Sequence, residues 1–581
     1  MGEFHFYYPC RKLNSTLVRH AFIARRLRAP ALTETRVQRV SDTRDMLVLR
    51  TRSSEPGILY VPYVDAKGCF YFVSTETLSC SSRPRPLYLE LARGQLSRLF
   101  NRGAEWITRG FVPDAYAETR KAVRFFASLS AADRDAPNYD VRCADFFESL
   151  CNLSQRINEQ YLAHVLTARE ASRWVTRFGF SAPFGSPWSD LYDSVFELRR
   201  SGRARPKITP VFQTINPDFC WSDIERADGD YDWFPFDAAM NNADIHNLTT
   251  TIGPLLRWGE TPPQYAKRYE EPKVREHFKK YVAKLLERDR KRTKRWIVAT
   301  NVETRVEGIP LEIRLALAAQ TVFEIRRQNP KAKAFLGFDQ PFGDSVRRGK
   351  QDMTSLELAL RVARRKVFDG FYLEVNFGLS PNATFPRDPM ELHRFFDRWD
   401  ALGVPICLGL SYPSAPLPQA VERDASTVLS DHYKIYTGKR GRFGLSDDDS
   451  DSLTATPDED SIETQIWTEA AQQKTTRRFI IAALAHRNVD EIIWTKFADA
   501  PAREAYLTGG LNSKPNPFIR RHTLVDEINL DDEQGFELTD DKNVLVDYNP
   551  RDRDRFPTSG LFDEKAEPKS TLYELSKLRG S

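Results

Sequence analysis

From Pro206 onward the chain alternates short apolar runs with helix-patterned stretches, and this alternation limits the folds open to it. The runs are ITPVFQTI, LTTTIGPLL, RWIVATNV, KAFLGF, FDGFYLEVNF, VPICLGLSY and VDEIIWTKF. They read as near-continuous apolar segments, as strands covered by helices on both faces must. Between them lie PKVREHFKKYVAKLLERDRK, LEIRLALAAQTVFEIRRQNP, SLELALRVARRKV, ELHRFFDRWDALG and TQIWTEAAQQKTTRRFIIAALAHRN, all with apolar residues at helical spacing. Parallel strands need crossovers of this kind. Seven visible units and one indistinct one predict an α/β fold, a (β/α)8 TIM barrel. An open doubly wound sheet is the alternative. No GxGxxG or GxxxxGK(S/T) follows any of the runs, so the usual nucleotide-binding reason for that sheet is missing.

Upstream the texture differs. From Asp45 to about Leu91 the runs DMLVLRTR, GILYVPYV, GCFYFVST and PLYLEL are separated by the turn signals SSEPG, DAKG and SSRPRP. This pattern predicts a small β-sandwich or jelly-roll module. ELARGQLSRLFNRGAEW then changes to helical spacing, and two longer helical stretches follow from Pro113 to Ser172. The expected organisation is an N-terminal β module over 1–105, a helical connector over 106–200, the barrel over 201–530 and a polar tail over 531–581 laid on the barrel's outside. The acidic run SDDDSDSLTATPDEDSIE over 446–463 is expected to be a mobile surface loop, because it lacks the Gly and spacing of an EF-hand.

Charge and cysteine usage narrow the partners. Across 581 residues, 85 Lys and Arg face 80 Asp and Glu, for a net charge of +5. Residues 1–52 alone hold eleven Lys and Arg against four acids. Apolar residues interleave with those charges and Lys is nearly absent, so a solvated face is expected there and no nucleic-acid partner. No run reaches the ~18 apolar residues of a membrane helix, so no membrane association is expected. The start MGEFHFYYPCRKLNSTLVRH lacks a signal-peptide pattern, and the seven scattered cysteines include no CxxC. A cytoplasmic protein with reduced thiols and no metal or other cofactor is the expectation.

In such a barrel, chemistry sits where the strands end. After the apolar runs come Asn216 to Glu225; Arg257, Trp258 and Glu260; Asn301, Glu303 and Arg305; Asp339, Gln340 and Asp344; Glu374 and Asn376; Ser411, Tyr412 and Ser414; and Lys496 and Asp499. The inventory is carboxylates, amides and aromatics, with no histidine among them. That argues against a His-based relay or a His-rich metal centre. Paired carboxylates with aromatic platforms suit glycosidic chemistry, in which one carboxyl protonates the leaving oxygen and the other attacks carbon or activates water.

At these residues the barrel half, roughly 206–525, resembles glycoside hydrolase family 10, the endo-β-1,4-xylanases. Trp221 to Trp233 (WSDIERADGDYDW) is similar to that family's early-strand segment. LLRWGETPP over 255–263 looks like its Trp-containing stretch that ends in Pro. Phe335 to Asp339, Phe368 to Glu374, and Ile493 to Asp499 resemble its fifth, sixth and last strands. The resemblance implies a TIM-barrel hydrolase of β-linked polysaccharide or oligosaccharide that needs no cofactor. It implies Glu303 as acid, and the strand-end inventory offers Glu374, Asp339 and Asp344 as candidates for the second carboxylate. Trp221, Arg257, Trp258, Asn301, Asn376, Tyr412, Trp494 and Lys496 would hold the sugar.

The pattern departs from the family at its catalytic positions. One residue separates Asn301 from Glu303, Gly409 stands where the strand-seven nucleophile belongs, Gly259 follows Trp258, and Phe219 replaces an expected Asn. The retaining mechanism therefore does not carry over. An inverting or otherwise altered hydrolase is the first expectation. A carbohydrate-binding pseudoenzyme is the second, and an interaction scaffold that keeps only the fold is the third.

Overall fold

The computed structural model describes residues 2–10, 13, 15–18, 20–25, 33–112, 115–136, 138–172, 175–183, 211–219, 221–257, 271–303, 310–343, 353–378, 383–416, 466–499, 558–563 and 568–579. An N-terminal module of two sheets comes first. The strands are β1 Gly2–Pro9, β2 Phe22–Ala24, β3 Thr33–Arg39, β4 Arg44–Thr51, β5 Gly57–Val64, β6 Phe70–Leu78 and β7 Ser81–Pro86, with a short α1 at Ser15–Val18. They form a four-stranded sheet in the order β3-β4-β1-β7 and a three-stranded sheet in the order β2-β5-β6.

The first strand lies in the basic stretch, and its period-two pattern sends Phe4, Phe6 and Tyr8 into the core. Several arginines there are answered inside the fold. Arg50 Nε donates to Glu3 at 2.8 Å, and Arg44 pairs with Asp140 and lies 4.9 Å from the Tyr7 ring centroid. SSRPRP, expected as a turn, is strand β7. PLYLEL, expected as a strand, opens helix α2 (Leu87–Thr108) after Pro86. Leu87, Leu91, Leu99 and Trp106 recur on one buried stripe of that helix. Gly94 lets it close onto β6, since a Cβ there would lie 2.3 Å from the Ser74 carbonyl.

Helices α3 (Ala115–Ala131) and α4 (Tyr139–Ser172) lead into the barrel. Its strands are β8 Arg177–Pro183, β9 Thr214–Asp218, β12 Thr249–Ile252, β13 Arg295–Ala299, β14 Lys333–Phe338, β15 Gly370–Asn376, β16 Ile406–Ser411 and β17 Val489–Trp494. They close in the order β12-β13-β14-β15-β16-β17-β8-β9, every pair parallel. The indistinct eighth unit is therefore the first strand, RFGFSAP, inside the stretch expected as a helical connector. It carries no Val or Ile, and Gly179 sits where a Cβ would strike Thr214. A hairpin of β10 (Glu225–Ala227) and β11 (Asp230–Tyr231) follows a short helix α5 at Trp221–Ile224. The outer layer holds α6 Phe234–Ile245, α7 Glu271–Asp289, α8 Leu311–Gln328, α9 Ser355–Ala363, α10 Pro389–Asp400 and α11 Glu469–Leu484, with α12 Ser570–Arg579 packed on α11.

The strands' outward side chains and the helices share one apolar core. Inside the barrel, Ile297, Phe335, Tyr372, Cys407 and Ile493 form a separate cluster. Below it an ionic layer fills the lumen. There Arg295 donates to Glu491 at 2.9 Å and also pairs with Asp490. The N-terminal module is joined to the barrel by backbone as well as side chains. Phe72 N donates to Pro386 O at 2.8 Å, and Asp388 N donates to Phe72 O at 3.2 Å. Arg98, buried, lies 3.7 Å from Asp388 and 3.8 Å from Glu391. Among the described residues no helix is long and apolar enough to cross a membrane.

Candidate functional site

Two carboxylates define the C-terminal end of the barrel, and each is held by a different local structure. Glu374 lies within β15 and points into the lumen, because Tyr372, Glu374 and Asn376 share one face of the strand. It is 7% exposed. Arg257 Nη1 lies 3.5 Å from one oxygen, and Asn376 Nδ2 donates to the other at 2.8 Å. Asn376 is fixed in turn by donors from two neighbouring strand ends, Ser411 Oγ at 2.6 Å and Thr495 Oγ1 at 2.8 Å. This chain of contacts orients Glu374 and answers its charge, as a buried carboxylate requires.

Glu303 is placed by a turn. After β13, Asn301 adopts a left-handed backbone with φ 58°, a conformation Asn tolerates better than most residues. The turn sends Val302 into the outer core and brings Glu303 against the first turn of α9. Ser355 Oγ donates to Glu303 Oε1 at 2.7 Å. Asp339, just past β14, is the near neighbour. With its amide nitrogen turned toward that carboxylate, Asn301 donates to the two Asp339 oxygens at 3.0 and 3.2 Å. Burial, and then the negative charge of Asp339, push the Glu303 carboxyl up to about 7, while Ser355 and Arg314 pull the other way. Glu303 is thus an acid poised near neutrality, enclosed between strand ends and helices α8 and α9.

Position 409 shows why no carboxylate stands on strand β16. Gly409 is in register with Glu374. A Cβ there would lie 2.2 Å from Tyr372 Oη and 2.7 Å from Cζ. The Tyr372 ring, two residues before Glu374 on the same face, occupies the space a side chain at 409 would need.

The expected aromatic platforms are placed otherwise. Trp221 is fully buried, and its Nε1 donates to Glu225 at 2.5 Å. Trp494 is buried on the outer face, donating to Ser559 O at 2.9 Å. Tyr412 is buried against Trp467, ring centroids 5.2 Å apart. None of the three offers a ring face to solvent, because each is buried in the apolar core outside the barrel. They are corrections to the expected sugar platforms. Lys496 is half-buried beside the last strand's end. Asp499 binds the C-terminal segment through Gly560 N at 2.8 Å and Lys569. Trp258 and Asp344 lie outside the described residues.

Ser355, Arg314 and Tyr372 escaped the sequence reading. One signal was available for the first. Thr354 and Glu357 form a capping box, which fixes Ser355 as the opening residue of α9. Among the described residues, Glu225, Asp228 and His277 offer ligand atoms within 4.8 Å of one another, the one grouping fit to hold a metal ion. Glu225 there already accepts from Trp221 and from Gly229 N, and His277 lies 3.3 Å from Asp228.

No protein-family model matches the sequence, and no curated protein matches it either. Solved structures do. Xylanase 10B from Thermotoga maritima is 12% identical, with 72% of this chain and 97% of that chain covered and a TM-score of 0.40. Xylanase 10B from Thermotoga petrophila RKU-1, in complex with xylobiose, is 12% identical over 72% and 96%, at 0.39. Penicillium canescens endo-1,4-beta-xylanase XylE is 10% identical over 72% and 98%, at 0.40. At these values the barrel assignment rests on its own closed strand order.

Proposed function

We propose that the barrel acts on a β-linked polysaccharide or oligosaccharide at the C-terminal ends of its strands, with Glu303 as proton donor and Glu374 as the second carboxylate. The observation that carries this reading is the contrast between the two groups. Glu303 is held near pH 7 by burial and Asp339, while Glu374 faces Arg257 and Asn376. An acid raised toward neutrality and a second carboxylate with a cationic partner are the division of labour glycoside hydrolysis requires. With Gly409 in place of a strand-seven carboxylate, the reaction is assigned to water activated by the second carboxylate, with inversion at the anomeric carbon. The xylobiose complex of the Thermotoga petrophila enzyme makes xylo-oligosaccharides the first substrates to try.

A second reading, glycan binding without cleavage, is favoured by the enclosure of Glu303 and by Tyr372 over Gly409. Product analysis on a β-glycan panel with wild type, Glu303→Gln and Glu374→Gln separates the two. The first reading expects sugar release by wild type and a loss of about 100-fold or more in each variant. Equal activity in all three ends it. Binding without products in wild type selects the second.

A further inference from the structure

Ser355 stands between two acceptors. Its Oγ is 2.7 Å from Glu303 Oε1 and 3.2 Å from the Gln340 carbonyl. A serine hydroxyl has one proton to donate and lone pairs to accept with, so it serves one of those acceptors at a time. When Glu303 is ionised, the hydroxyl donates to the carboxylate. When Glu303 is protonated, its own O–H donates to Ser355 Oγ, and the serine proton turns to Gln340. Ser355 is fixed for this by its place at the start of α9, where Thr354 caps the helix by accepting from Glu357 N at 3.2 Å and donating its own N–H to the Glu357 carboxylate at 2.8 Å. Gln340 is fixed on the loop after β14.

We propose that Ser355 is the positioning residue of Glu303, a rotating hydroxyl that keeps one buried carboxyl hydrogen-bonded in both of its protonation states. The inference rests on the reading of Glu303 as proton donor, since an acid that cycles must be accommodated with and without its proton. The groups facing Glu303 are Asp339 from the β14 end, Arg314 from α8, and Ser355 itself from α9. Of these, Ser355 is the one hydrogen-bonded to Glu303, and its hydroxyl can turn from donating to accepting with no change of charge. Asp339 acts through its charge and through Asn301, and arginine only donates.

The test is a titration of the Glu303 carboxyl in the full chain by carbon-detected NMR, with Glu303→Gln identifying the resonance. Ser355→Ala is expected to raise the midpoint by about one pH unit, because the ionised form loses its donor. Ser355→Thr, which keeps the hydroxyl, is expected to restore the wild-type midpoint. Ser355→Cys, near in size but a weak donor, is expected to follow alanine. A midpoint unchanged in both Ser355→Ala and Ser355→Cys overturns the proposal, and so does a threonine variant that shifts with alanine. On an active substrate the pH-rate profile moves by the same interval, with KM held. If Glu303→Gln proves as active as wild type while Ser355→Ala still shifts the midpoint, the functional reading falls and the positioning role stands.

Discussion

At position 409 the missing side chain is enforced by a neighbour. Tyr372 Oη lies where a Cβ would have to go, so a carboxylate cannot be restored there by one substitution. Gly409→Ala is expected to lower stability by about 1–3 kcal/mol in urea unfolding, the usual cost of overpacking a filled core. Adding Tyr372→Leu is expected to recover part of that loss, giving a coupling of about 1 kcal/mol or more. Strict additivity of the two changes would show that the rings and strand do not meet as described. Glu374 was legible from the sequence as a strand-end residue, and Gly409 only through the family resemblance. Tyr372 was not, because its reach across to the next strand depends on the register of β15 against β16. Glu303 was legible as a residue but not as an environment. That Ser355 and Arg314, from two different helices, enclose it follows only from the packing.

Among the elements, helices α4, α10 and α11 meet around a buried histidine pair. His393 Nε2 is 2.7 Å from Asn158 Oδ1, and its ring lies 5.9 Å from that of His486 and 5.2 Å from Trp106. Tyr161 and Arg102 also face it. Burial, with His486 and Arg102 adding to it, holds His393 well below the ordinary histidine range. The folded state keeps it neutral, while the unfolded chain takes up a proton near pH 6.5. Its contribution is therefore present above about pH 6.5 and is lost as pH falls. Glu303 has the opposite sign. Its folded value of about 7 lies above the ordinary 4.5, so stability is greatest below 4.5 and declines as pH rises through 7. Urea midpoints measured from pH 4.5 to 8 are expected to lose their acid-side slope in His393→Gln and their alkaline-side decline in Glu303→Gln. Profiles parallel to wild type in both variants would refute these assignments. The helices themselves were legible from apolar spacing, as at α2 and α4. PLYLEL was misread because a helix entered through Pro86 begins with the same Leu and Tyr that a strand would use.

For the whole molecule, the barrel followed from the alternation of apolar runs and helices, but its closure did not. The first strand, Arg177–Pro183, has no apolar run to announce it, and its place is set by pairing with β9 and β17. The junction of the two domains was equally silent, since its backbone pairing of Phe72 with Pro386 leaves no mark on composition and its side-chain partners, Arg98 with Asp388 and Glu391, lie far apart in sequence. Residues 558–563 and 568–579 fasten the last strand from outside. Ser559 O accepts from Trp494, Lys569 meets Asp499, and Leu561, Phe562, Leu572, Leu575 and Leu578 are buried. Each such apolar side chain contributes on the order of 1.5–3 kcal/mol. Ending the chain at residue 557 is expected to abolish cooperative unfolding of the barrel in calorimetry. A truncated chain with the wild-type transition would show that this segment is dispensable.

The division of the apolar cores sets an order for synthesis. Among the described residues, the core beneath the N-terminal sheets draws its buried residues from Phe4 to Ile157, with Met390 added from the barrel. A ribosome that has passed Ser172 has therefore synthesised nearly everything that core needs. The barrel is in the reverse position. Strand β8 leaves the ribosome early, yet one of its two edges waits for β17 at Val489–Trp494. Through the intervening stretch of translation that edge presents unpaired backbone to the cell.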